Sequence, residues 1–185
     1  MPYPWYEMIA NSDEIRQGDF IPECPILLPP AILNLNEKED GEIDFHDSIT
    51  VQTLNTVVVS QSCDLENNKV EIVLVCPIIP LTDFFEMLPE GDRTGKGRNK
   101  KLDALKQGNI PPYHLLNRDT EFEVDDFHIV DFRNVYGVNF GFLKNYAQNI
   151  PSRVRLLPPY REHLSQAFAR FFMRVGLPHD ITGLE

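Results

Sequence analysis

The sequence predicts one α+β domain over residues 1–185, β-rich in its first half and closed by an amphipathic helix. Three observations lead there. Two segments rich in β-branched residues, 50–60 (TVQTLNTVVVS) and 70–79 (VEIVLVCPII), have the length and composition of buried strands. Near the end, Tyr160, Leu164, Phe168, Phe171 and Val175 recur at steps of three and four, which lays one apolar stripe along a helix. The length of 185 residues with 42% hydrophobic and 24% charged residues is that of a single globular domain with a sizeable core.

Taken in order, the first strand follows a turn at Gly18, with Arg16, Gln17 and Asp19 leading into Phe20 and Ile21. Pro22 and Pro25 interrupt it; proline lacks the ladder donor, so this strand is expected to be an edge, bulged or short. Residues 34–48 (NLNEKEDGEIDFHDS) read as an acidic surface loop or hairpin tip. Residues 63–69 read as a turn-rich connection between the two valine-rich strands, which form the centre of the sheet. A helical insertion is expected over 82–108: a short helix at 83–88, a glycine-rich basic loop at 90–99, then a helix at 100–107 stopped by Gly108. Further strands are expected at 113–138, around Tyr113 and His114, at 120–124 and at 127–138, with one or two helical turns at 140–148. The closing helix spans 158–175, with prolines at its first turn and Gly176 after its last.

Charge narrows the function classes. The net charge of −11 argues against a protein that coats nucleic acid with its whole surface. Residues 1–50 hold eleven acids against Arg16 and Lys38, while 93–106 and 153–174 are locally basic. No stretch approaches the roughly 18 apolar residues of a membrane span, and residues 1–19 lack the layout of a secretory signal. Three scattered cysteines do not make a disulfide framework, so a cytoplasmic protein is expected, with no membrane partner and no cofactor.

Three pieces in chain order are similar to the barrel of the MazF/PemK toxin family, small SH3-like barrels that cut messenger RNA. Gln17, Gly18, Asp19 and Phe20 resemble its opening strand, 55–61 (NTVVVSQ) its valine-rich strand, and 72–78 (IVLVCPI) the strand ending in Pro-Ile. The likeness covers about residues 15–80 and implies a small SH3-like, PemK-like β-barrel. The family's catalytic arginine falls where Asn55 or Thr56 stands, and its catalytic threonine where Ile79 stands. An aliphatic side chain neither donates a proton nor stabilises a phosphorane. The resemblance therefore implies a non-ribonucleolytic binding or accessory module, in a bacterial toxin–antitoxin or phage-defence setting.

Other chemistry stays open beside it. Cys63 with Asp64, just past a strand end, suits a cysteine-dependent hydrolase if His114, or else His128, supplies the base. Cys24, Cys63, Cys76 and His114 form a tetrahedral zinc set by type but not by spacing. Arg93, Lys96, Arg98, Lys100 and Lys101 lie on a glycine-bearing stretch that suits a phosphate backbone. Arg153, Arg155, Arg161, Arg170 and Arg174 add to it only on a shared face; His163, Arg170 and Arg174 share one face of the last helix. The aromatic arm Tyr3, Trp5, Tyr6 and Met8 is expected to pack on its own core or to cross a partner subunit, so protein partners and self-association are both open.

Overall fold

A computed structural model describes residues 3–30, 49–122 and 124–173. The expected acidic loop at 34–48, Arg174, Val175 and Gly176 lie outside these residues. The strands are β1 (Tyr6–Ala10), β2 (Phe20–Leu28), β3 (Thr50–Val58), β4 (Ile72–Pro80), β5 (Tyr113–Leu116), β6 (His128–Asp131), β7 (Tyr136–Asn139) and β8 (Ser152–Leu156). The α-helices are α1 (Ser62–Glu66), α2 (Leu81–Glu86), α3 (Glu90–Arg93), α4 (Gly95–Lys106), α5 (Phe140–Gln148) and α6 (Tyr160–Phe172). The fold is mixed α+β. Every strand pairing is antiparallel: β1 with β8, and a six-stranded sheet in the order β2-β3-β4-β6-β5 with β7 also on β4. The described strands do not close into a barrel.

β3 and β4 are neighbours at the middle of the larger sheet, as their composition predicts. Both faces are covered over residues 57–58 and 75–78, where the apolar runs are continuous, while Val51, Ile72 and Leu74 stay exposed. Val57 and Val59 enter one core cluster and Val58 another; Cys76 and Ile78 enter the first, Val73 and Val75 the second. The first cluster lies under α6 and includes Tyr6, Phe132, Leu156 and Leu164; the second includes Leu143 and Ala147 of α5. A third packs α2 and α4 against the sheet through Phe84, Phe85, Leu105 and Ile129.

β2 is bulged where its prolines fall. Its register against β3 shifts between Ile21 and Cys24, and Glu23 adopts φ 47° while its N–H donates to Asn55 Oδ1 at 3.0 Å. Asn55, one of the two residues the resemblance sets against a catalytic arginine, thus holds this bulge.

Four expectations change. The stretch 90–99 is helical rather than a loop, since α3 and α4 run through it with only Thr94 between them. In place of the strand expected over 120–124, Thr120–Phe122 form a 3₁₀ turn and Val124 makes a single bridge to Asp119. The single strand expected at 127–138 is two, β6 and β7, because Asp131 folds the chain back: its carboxylate accepts from Arg133 N and Nε and from Asn134 Nδ2. The connection at 63–69 opens with the short helix α1.

Two strands were not anticipated. The aromatic arm is β1, which packs on its own core: Tyr6 is buried and its hydroxyl donates to the Asn117 carbonyl. Its partner β8 carries Arg153 and Arg155, both buried around Asp19. Arg155 Nε and Nη2 donate to the Asp19 carboxylate at 2.5 and 3.0 Å, and Arg153 Nη2 lies 3.6 Å from it. Arg153 Nη2 also donates to the Asp13 carbonyl at 2.8 Å and Arg155 Nη2 to the Glu14 carbonyl at 2.6 Å. Both arginines are therefore structural. They bind the 13–19 segment to β8, beside the Asp19–Arg155 bridge that links β8 to the start of β2.

Candidate functional site

α6 divides its surface between core and cleft. Leu164, Ala167, Phe168 and Phe171 pack into the first cluster, while His163, Gln166 and Arg170 line a cleft of about 460 Å³. The facing wall is β5, with Tyr113, His114 and Leu115, followed by Asn117. The end of α4 closes another side with Leu105 and Lys106; Gly108, at φ +66°, lets the chain turn away there. Trp5 reaches in from ahead of β1, stacked on Tyr160 with ring centroids 3.5 Å apart and planes within 8°. The Trp5 carbonyl accepts from Leu157 N at 2.8 Å, which fixes the arm at the mouth of α6.

The electrostatics of this cleft oppose those of the chain. Among the described residues that line it, the titratable groups are Lys106, Arg170, His114, His163 and the Tyr113 phenol, and no carboxylate is present. The chain as a whole carries −11. Glu162 acts on His163 electrostatically but does not line the cleft, and it is paired to Arg161 at 2.8 Å. Among the described residues, the side chains of Lys106, His114, Asn117, His163, Gln166 and Arg170 make no hydrogen bond or ion pair. Polar groups that converge on a concavity without protein partners are available to a ligand.

His114 stacks against Phe132, at 6.4 Å and 21°, on the side facing the core. Burial, with a smaller contribution from His163, pushes its imidazole down to about 4, so the ring is neutral near neutral pH. Burial likewise raises the Tyr113 phenol. The cleft thus presents a neutral imidazole at its wall, and Lys106 and Arg170 at its rim.

The residues proposed for cysteine chemistry do not gather. Cys63 is exposed on α1, and its polar contacts are Gln61 Oε1 and Asp64 Oδ1, each at 3.8 Å. The chain leaving β3 toward α1 is held at Leu74 by Ser60. His114 pairs with Val130, which pairs with Ile78. Four residues along β4 and two strand steps lie between these points, on the order of 13 Å and 10 Å. Among the described residues, neither the polar contacts of Cys63 nor the strand pairings of His114 bring the two together, so Asp64 does not orient that imidazole beside Cys63.

The zinc set does not form either. Cys24 and Cys76 are buried in different core clusters, and no group of three or more His, Cys, Asp or Glu among the described residues is arranged to hold a metal ion.

The basic stretch is largely occupied by its own fold. Arg93 Nε donates to the Leu88 carbonyl at 2.6 Å, Arg98 sits 4.0 Å over the Phe85 ring, and Lys101 pairs with Asp92 at 3.3 Å. Lys96 and Lys100 make no such contact among the described residues. No described helix is long and apolar enough to cross a membrane.

Sequence reasoning singled out His114 and put His163 and Arg170 on one helix face, but did not bring them together. It counted Lys106 only as the end of a basic stretch and missed Asn117, Gln166 and the position of Trp5, since they meet only through the packing of α4, β5 and α6. No protein-family model, no curated protein and no solved structure matches the chain.

Proposed function

We propose that the chain is a binding module that takes a small anionic ligand in the cleft between α4, β5 and α6. The observation that carries this reading is the cleft's lining: two cations and two histidines without a carboxylate, in a protein whose net charge is strongly negative. A concave, partly apolar site focuses the field of such groups, and a volume of about 460 Å³ falls within the range of small-molecule sites, roughly 300–1,000 Å³. A binding role without ribonuclease chemistry is also what the likeness to the MazF/PemK barrels implies.

The only tryptophan in the sequence, Trp5, lines the cleft and serves as its reporter. Titration with a panel of pyrophosphate, a sulfated disaccharide and a nucleoside monophosphate is expected to change its emission saturably, with affinity falling as salt rises. Lys106→Glu combined with Arg170→Glu, both exposed, is expected to abolish the response while leaving thermal unfolding unchanged. Failure of every member of the panel to bind, or equal binding to the charge-reversed variant, rules the reading out.

A further inference from the structure

We infer that the anion this cleft takes is a nucleoside monophosphate: a flat ring carrying one phosphate. The inference rests on the anion-binding reading and adds to it the other half of the lining. An inorganic anion needs cations and donors alone. This cleft also presents aromatic surface from Trp5, Tyr113 and Phe127, with Leu105, Leu115 and Ala167 between. Aromatic side chains beside cations are the arrangement on which nucleobases stack while their phosphates are neutralised.

The two amides settle the polar pattern. Asn117 and Gln166 each offer an acceptor and a donor pair from one planar group. Neither side chain has a hydrogen-bond partner among the described residues. A nucleobase edge alternates donors and acceptors, which such amides match in pairs and which a bare phosphate or sulfate does not use. Asn117 is held in place through its backbone, whose carbonyl accepts the Tyr6 hydroxyl, so its amide is positioned without being consumed.

The roles then divide along the cleft. Arg170 and Lys106, exposed at the rim, suit the phosphate, and the Arg170 guanidinium offers a fork of N–H donors matched to phosphate oxygens. His163, one turn before Ala167 and Gln166 on α6, is placed with Arg170 for the same group. His114, neutral and backed by Phe132, faces the ring portion with a single ring N–H and a single acceptor.

Isothermal titration calorimetry with adenosine monophosphate, adenosine and pyrophosphate, with Trp5 emission as local reporter, tests this on the full chain. The nucleotide is expected to bind at least about tenfold more tightly than either fragment, the discrimination one stacked base supplies. Arg170→Glu is expected to weaken the nucleotide by at least about tenfold and to leave adenosine unchanged; Gln166→Ala is expected to weaken nucleotide and adenosine alike and to spare pyrophosphate. A 5′-phosphorylated dinucleotide separates a free ligand from a strand end: equal or tighter binding than the mononucleotide still supports the class and assigns the source to a strand. Pyrophosphate binding as tightly as the nucleotide overturns the inference and leaves the anion-binding reading standing. If adenosine binds as tightly as the nucleotide, or if none of the three binds, the inference is overturned, and the anion-binding reading falls with it if the sulfated disaccharide also fails to bind.

Discussion

Lowering the pH from neutrality to about 5 should cost this protein about 2 kcal/mol of stability through His114 alone. The imidazole is packed between Phe132 and the cleft, and burial holds its folded-state value at about 4 against 6.5 in a free side chain. Between those values the unfolded chain binds a proton that the native state does not. Its contribution is therefore fully present above about pH 6.5 and is lost as pH falls through 4, where the accumulated cost approaches about 3 kcal/mol. Carboxylates titrate in the same window, so the effect has to be isolated by difference. Urea unfolding of the native chain and of His114→Gln, run in parallel at neutral pH and at about pH 5, supplies that difference. The variant carries a neutral amide at every pH, and its stability should fall by about 2 kcal/mol less across the interval. Equal pH dependence in the two proteins, or an imidazole titrating near 6.5 by NMR, would refute the reasoning.

Other consequences can be measured with the same preparations. Asp19→Ala leaves Arg153 and Arg155 facing one another in the interior, and should cost about 3–5 kcal/mol in urea unfolding; a loss under about 1 kcal/mol contradicts the buried cluster. Gly18→Ala forces a Cβ into a φ of +88°, at 3.0 Å from Leu156 Cβ, and should cost about 1–3 kcal/mol by the same measurement. Iodoacetamide should modify only Cys63 in the folded protein, because burial removes Cys24 and Cys76 from reagent and pushes the Cys76 thiol up to about 12. Peptide mass analysis showing early labelling of Cys76 would contradict that packing.

What local pattern encodes was legible, and what long-range packing decides was not. β3 and β4 announce themselves because both faces are buried at residues 57–58 and 75–78, where their apolar runs are uninterrupted. The prolines of β2 foretold its bulge, and Gly108 the end of α4. The glycines at 95 and 97 misled: low helix propensity suggested a loop, but Leu102 and Leu105 pack against Phe84 and Phe85 and hold the segment helical. β8 reads as a basic stretch, SRVRL, because its inward positions are arginines rather than aliphatics, and only Asp19, 136 residues away, makes them core residues. The cleft had the same fate. His114 was a candidate for the wrong partner, since nothing local to either residue shows that β5 lies against α6 and not beside α1.

The Asp19 cluster also orders events during synthesis. The strand partner of Tyr6–Ala10 and the guanidinium partners of Asp13, Glu14 and Asp19 arrive only when residues 152–156 have emerged from the ribosome. Until then the β3–β4 ladder can pair, but β1 has no sheet neighbour. Folding is thus weighted toward synthesis of β8, and a chain terminated ahead of that strand is expected to be a substrate for chaperones and proteases rather than a smaller working domain.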